Sequence, residues 1–223
     1  MGQEGERPGN SRGLRGEKRP VMVEQSLRYL RSTMARPLSD EKRNALLAAA
    51  IDLFSETGID ATPTAAISKA AGVAEGSLFT YFKSKDGLIN ALYLELKAEL
   101  AQVLLQGFPR DGSIMKKLKH LWDHHVAWCA AAPKKLKVLE LLLLSSRVDS
   151  ASRQLGAEPF REVEEAARKA VEDGTLRDIP MPFLNQIFTA MSTATLQMIA
   201  ADPAGAAKYR REGFEIFWSA VRR

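Results

Sequence analysis

An all-α fold is predicted for this 223-residue chain. From Ser39 onward apolar residues recur at three- and four-residue steps, the interruptions fall at glycine or proline, and no segment sustains the period-two alternation of a half-buried strand. The length suits one large globular domain or two small ones. Read along the chain, these signals divide it into an N-terminal extension, three short helices and six longer ones.

Residues 1–36 are predicted to be a disordered basic extension. Residues 1–20 are rich in Gly, Arg and Glu and nearly devoid of large apolar groups, so burial cannot offset the entropy of ordering them. Val21 to Arg31 has some helical spacing through Val23, Leu27 and Leu30 but is too short to be stable alone. Ordered patterning starts just after Met34, and from this change in composition residues 1–33 are expected to be a gene-start artefact or dispensable.

Ser39 is a good N-cap for a first helix in which Leu46, Leu47, Ala50, Ile51 and Phe54 share a face, with Gly58 as its terminating glycine. Thr62 is expected to cap a second helix with Pro63 in its first position. That helix carries Ile67 inward and closes at Ala70-Ala71-Gly72, where glycine can take a positive φ. A third helix, Glu75 to Phe82, follows at once. Two short helices about a glycine-containing turn have the spacing of a helix-turn-helix, with Ile67, Val73, Leu78 and Phe82 wedged between them. Glu75, Gly76, Ser77, Thr80, Tyr81 and Lys83 lie on the opposite side.

The longer helices are expected at Lys85–Gln106, Ser113–Ala132, Pro133–Ser146, Ser152–Asp173, Met181–Ala201 and Pro203–Val221, cut at glycines and prolines. The last two carry stripes suited to pairing between subunits. Phe183, Ile187, Ala190, Ala194 and Gln197 make a mostly small-residue stripe, and Phe214, Phe217, Trp218 and Val221 make an aromatic one.

Composition narrows the class. The single cysteine, Cys129, excludes an intrachain disulfide and a multi-cysteine zinc site. No run approaches the roughly 18 apolar residues of a membrane span, the densest being Val138–Leu144, and the N-terminus lacks the apolar core of a signal peptide. A soluble, cytoplasmic protein is expected. The formal charge of +5 is weak evidence for nucleic acid, because residues 1–36 hold 8 basic and 4 acidic side chains while residues 37–97 hold 6 and 8.

Motif order is more telling than charge. The stretch AAAIDLFSETGIDATPTAAISKAAGVAEGSLFTYFKSKDGLINALY resembles the N-terminal DNA-binding region of TetR-family transcriptional regulators, a likeness running from Ser39 to Leu92. The remainder resembles the family's divergent second domain only in length and helical character. The resemblance implies a helix-turn-helix DNA-binding domain over residues 37–84 and a six-helix ligand-binding and dimerisation domain over residues 85–223. It also implies a homodimer, a repressor of transcription, a palindromic double-stranded DNA operator and release by a small-molecule effector.

At positions matching the family's motif, Glu75, Gly76, Ser77 and Thr80 would meet base edges. Glu75 can accept from a cytosine amino group, Ser77 can donate or accept, and Gly76 admits close backbone approach. Thr62, Tyr81 and Lys85, assisted by Lys83, would hold phosphates and fix register. Phe79 stands where the family usually has tyrosine, so a hydroxyl contact is lost and the ring is expected to pack. The turn Val73-Ala74-Glu75-Gly76 lacks a lysine found in commoner forms. Both departures predict a shallow salt dependence, which a basic tail reaching the neighbouring backbone would deepen.

Ligand chemistry is sparser. Ile114, Leu118, Leu121, His125, Trp128 and Ala132 share a face, placing His125 in an apolar stripe either as a core histidine or as a polar contact to a ligand. A pocket lined by Trp122, His125, Trp128, Cys129, Met181 and Phe183 would suit a flat or lipophilic molecule, with Glu140 available to a cationic group. Cys129 reads as a small buried hydrophobe. His120 and His124 have metal-compatible spacing but no third ligand, so no metal and no cofactor is expected. The sequence offers no phosphate loop, nucleophile elbow or metal set, so an enzyme is not expected. A structural, chromosome-organising protein built on the same DNA-binding module is the alternative.

Overall fold

The computed structural model describes residues 39–223, and the expectations for the N-terminal extension fall outside that range. The described residues form ten α-helices, two 3-10 turns and one isolated antiparallel bridge between Leu176 and Arg222.

α1 (Asp40–Thr57) starts where the Ser39 side chain accepts from the Lys42 N–H, with Asp40 and Glu41 favoured in the first turn by the helix dipole. It ends where Gly58, at φ 84°, donates to the Phe54 carbonyl. α2 (Thr64–Ala70) is capped differently from the expectation. Pro63 is the N-cap, and Thr62 is turned inward, its hydroxyl donating to the Gly58 carbonyl at 2.6 Å and lying 2.7 Å from the Thr57 hydroxyl.

The end of α2 forms a Schellman turn. Val73 donates to Ser68 O at 3.0 Å and Gly72 to Lys69 O at 3.1 Å, an arrangement needing the positive φ of 65° that Gly72 supplies. α3 (Ser77–Phe82) starts two residues later than the spacing suggests, because Ser77 N–H donates to Ala74 O and leaves Glu75 and Gly76 in a turn. Leu78 and Phe82 bury it in the core that also holds Ile67 and Phe54, packed on α4 (Lys85–Leu105).

α4 is the spine, packing against α3, α5 (Ile114–Ala131), α6 (Pro133–Leu144) and α7 (Ser150–Ala157). α6 also runs along α1, where Lys134 pairs with Asp52 at 2.7 Å. The single helix expected over Ser152–Asp173 is two, α7 and α8 (Arg161–Glu172), separated by a 3-10 turn Glu158–Phe160. Pro159 is the cause, since it lacks an amide hydrogen and clashes with the preceding turn. The region after α3 therefore holds seven α-helices, not six.

α9 (Met181–Ala201) and α10 (Ala206–Val221) close the chain on α5. Trp122 of α5 is fully buried among Phe188, Phe214 and Phe217, and its indole N–H donates to Arg210 O at 2.9 Å. Only glycine fits at position 213, because a Cβ there would collide with Thr195 Oγ1 and lie 2.8 Å from Trp122 Cζ2. The aromatic stripe assigned to a subunit interface is thus mostly intrachain core: Phe214, Phe217 and Val221 are buried. The small-residue stripe of α9 is mainly exposed at Phe183, Ala190, Ala194 and Gln197, while Ser192 turns inward.

Candidate DNA-reading site

The reader is built by asymmetry about α3. Leu78 is fully buried and Phe82 nearly so, fixing the back of the helix, while Glu75, Gly76, Phe79, Thr80 and Lys83 are exposed and Ser77 is half-buried. Gly76 faces open space, with no heavy atom within 4 Å of a Cβ built there. Thr80 spends its hydroxyl proton on the Gly76 carbonyl at 3.2 Å, so only its oxygen lone pairs remain for a partner.

The flanking groups differ in availability. Tyr81 is half-buried, and its hydroxyl accepts from the Ser39 N–H at 2.9 Å, which leaves its own proton free to donate to a phosphate. Lys83 ends α3 with φ 66° and ψ −35°, the one non-glycine residue at positive φ among the described residues. Lys85 donates to Asp60 O at 3.1 Å; burial lowers its pKa, Arg147 adds to that, and Asp60 and Asp86 oppose it. Thr62 departs from the expectation for the site: it is 1% exposed with its hydroxyl engaged inside the fold, so its side chain cannot reach a phosphate. Phe79 also departs, since its ring is 46% exposed instead of packed.

A clamp absent from the sequence reading fastens the reader to the helices behind it. Arg147, in the turn after α6, reaches Asp60 before α2 at 2.8 Å and Asp86 at the start of α4 at 2.6 Å. Asn90 of α4 donates to Arg147 O at 3.0 Å and accepts from the Asp149 N–H at 3.0 Å. The partners of Arg147 lie 61 and 87 residues away, so no local pattern could reveal it.

The candidate ligand residues are not assembled into one pocket. Trp128 is buried and donates to Glu99 of α4 at 3.0 Å, and Lys135 holds the same carboxylate at 2.6 and 2.8 Å. Burial pushes the Glu99 carboxyl up, but hydrogen bonds from Lys135 and Trp128 outweigh it and leave it below its ordinary range. Trp122 is core, and Phe183 is 56% exposed on α9, the wrong side for a lining residue. Phe188, missed by the spacing argument, takes the inward place beside Trp122 and His125.

What remains together is a small polar group at the α5–α6 seam. His125 Nε2 lies 3.5 Å from Cys129 Sγ, and its ring meets Phe188 edge-on at 5.3 Å. Burial lowers the His125 pKa to about 4. Burial, reinforced by the Glu140 charge, pushes the Cys129 thiol up to about 12, making it a poor nucleophile. The half-buried Glu140 carboxyl is raised by burial, and Met181 is half-buried at the start of α9. His120 and His124 stack at 3.9 Å with His124 Nδ1 bonded to His120 O, and no group of three or more metal-ligating side chains gathers among the described residues.

Two clefts lie elsewhere. One of about 230 Å³ opens between α9 and α10, lined by Met191, Met198, Tyr209, Glu212 and Ile216. One of about 670 Å³ lies between the α1–α2 loop and the end of α6, bordered by Asp60, Leu144 and Arg147. None of the described helices is long and apolar enough to cross a membrane.

One long helix and two short ones, the last with a buried back and an exposed front, followed by a larger helical body, have the architecture of a helix-turn-helix regulator. The family of bacterial regulatory proteins, tetR family, matches residues 46–92. The HTH-type transcriptional regulator AcrR of Shigella flexneri is 24% identical over 144 residues, 60% of this chain and 66% of that protein. The fatty acid metabolism regulator protein of Bacillus subtilis is 24% identical over 104 residues, 47% of this chain and 54% of that protein. The chain thus spans between about half and two thirds of these curated relatives. A solved TetR-family transcription regulator from Shewanella sp. PV-4 is 28% identical, with a TM-score of 0.73 over 82% of this chain and 98% of the other. Residues 46–92 thus carry the helix-turn-helix region of the TetR family of transcriptional regulators, and the described chain shares its helical fold with a solved protein of that family.

Proposed function

We propose that the chain is a homodimeric repressor that binds a palindromic operator and leaves it when a small molecule occupies the helical body. The observation carrying this reading is the exposed surface of α3 and the turn before it, where Glu75, Gly76, Ser77 and Thr80 lie away from a helix back locked by Leu78 and Phe82. Tyr81, Lys83 and Lys85 flank that face as phosphate contacts that fix register. The reader then occupies residues 37–84 and the dimerising, ligand-responsive body residues 85–223.

Two-fold pairing is supported by Phe183, Met198 and Ile216, which are 56%, 48% and 60% exposed on α9 and α10, the kind of apolar surface that a subunit interface covers. A dimer presents two copies of α3, each of which must enter a major groove roughly 34–36 Å from its twin. An effector acts by favouring a different separation. His125, Cys129, Glu140 and Met181 are the residues proposed to meet it, with Glu140 suited to a cationic group. As a DNA-binding regulator the protein is proposed to work in the cytoplasm.

Selection of duplexes from a random library by the full chain tests this reading. It should return an inverted repeat with half-sites one helical turn apart, bound by a dimer. A monomer that enriches no sequence would overturn it.

A further inference from the structure

We propose that Phe79 reads a thymine methyl group in the major groove and is a specificity-determining residue of the operator contact. The inference rests on the DNA-binding function proposed above. It starts from the exposure of the Phe79 ring, 46%, on a six-residue helix whose other two large apolar side chains, Leu78 and Phe82, are buried. The ring stands beside the outermost stripe of that helix, which is formed by Gly76, Thr80 and Lys83.

Glu75 and Ser77 bring hydrogen-bonding groups to the start of the helix, but past them that chemistry is thin. Thr80 has committed its proton to Gly76 O, Gly76 has no side chain, and the Lys83 ammonium is turned back to Thr80 O at 3.4 Å. Phe79 therefore offers an exposed, large apolar surface that holds no donor or acceptor. A phenyl ring gains nothing from a phosphate oxygen or a polar base edge. The one apolar group that the bases display in the major groove is the C5 methyl of thymine. A ring presented there discriminates by covering that methyl, and the small Gly76 beside it leaves room for the backbone to approach.

The test uses the best half-site recovered by duplex selection and versions in which each thymine is replaced singly by deoxyuridine, which removes only the methyl. Wild-type protein should lose about fourfold in affinity per half-site at one thymine position, the value of one buried methyl-sized group. Phe79→Ala should bind the thymine and deoxyuridine versions of that position equally, and Phe79→Leu should keep part of the difference. Helical circular dichroism of both variants establishes that they are folded. Wild-type indifference to every deoxyuridine, a selected half-site without thymine, or undiminished discrimination by Phe79→Ala would each overturn the assignment while leaving the regulator reading intact. Failure of the wild-type chain to bind any duplex would remove both.

Discussion

Lys83 sits at the point where stability and DNA binding pull in opposite directions. Its φ of 66° is a conformation that a side chain with a Cβ tolerates at a cost of roughly 1–2 kcal/mol. Glycine would relieve that strain but adds about 0.5–1 kcal/mol of unfolded-chain entropy. The lost Lys83 to Thr80 contact, exposed and 3.4 Å long, is worth little. Lys83→Gly should therefore be slightly more stable, by about 0.5 kcal/mol, raising Tm by roughly 1–2 °C for a domain of this size. With Lys83 in its proposed role, the same change should remove one phosphate contact per half-site. The slope of log affinity against log salt should become shallower by about 0.9 per half-site, or about 1.8 for a dimer. Between 50 and 200 mM salt the wild type should then weaken about twelvefold more than the variant. Thermal unfolding and fluorescence anisotropy on a fixed duplex across a salt series measure the two effects, with Lys83→Arg as the charge-keeping control. An unchanged salt slope would refute the phosphate contact, and a fall in Tm would refute the strain argument.

Other outcomes follow from the same geometry. Tyr81→Ala and Lys85→Ala should weaken binding to all sequences alike, whereas Ser77→Ala should change the preferred sequence; competition between selected and random duplexes separates the two kinds of effect. Arg147→Met removes both ion pairs of the clamp, so its Tm should fall below wild type at low salt and converge with it near 1 M salt, since exposed pairs are screened. Equal Tm values at low salt would count against the clamp. The folded-state pKa of His125, about 4, lies below its ordinary 6.5, so its contribution is complete above pH 6.5 and is lost as pH falls toward 4. Wild type should lose about 3 kcal/mol more stability than His125→Phe between pH 7 and pH 4, read from denaturant midpoints. The double change Met198→Glu with Ile216→Glu should convert a dimer into a monomer in sedimentation, and persistence of the dimer would place the interface elsewhere.

The reader was largely legible from the sequence. Its helices rest on local signals: the Ser39 cap, the Gly58 and Gly72 stops, and the spacing of Ile67, Leu78 and Phe82 all act within a few residues. The misreadings arose where two elements compete for one side chain. Thr62 looked like a cap because it precedes Pro63, yet Gly58 O and the Thr57 hydroxyl lie within reach and draw it inward. Phe79 is expected to pack because it lacks the hydroxyl of the tyrosine usual at that place, but Leu78 and Phe82 already fill the back of so short a helix. The two aromatic and small-residue stripes near the C-terminus were visible, but not which of them the chain itself would cover.

What the sequence by itself determined is therefore the all-helical class, most of the breaks and the position of the short third helix. Hydrogen bonding along a helix and the placement of its apolar face are settled among residues three or four apart. The tertiary structure alone decided that Trp122 and Phe217 stack in the core and that Arg147 joins Asp60 to Asp86. Those outcomes depend on which surfaces meet after the chain has turned back on itself, and burial and ion pairing between distant residues leave no periodic trace in the chain that makes them.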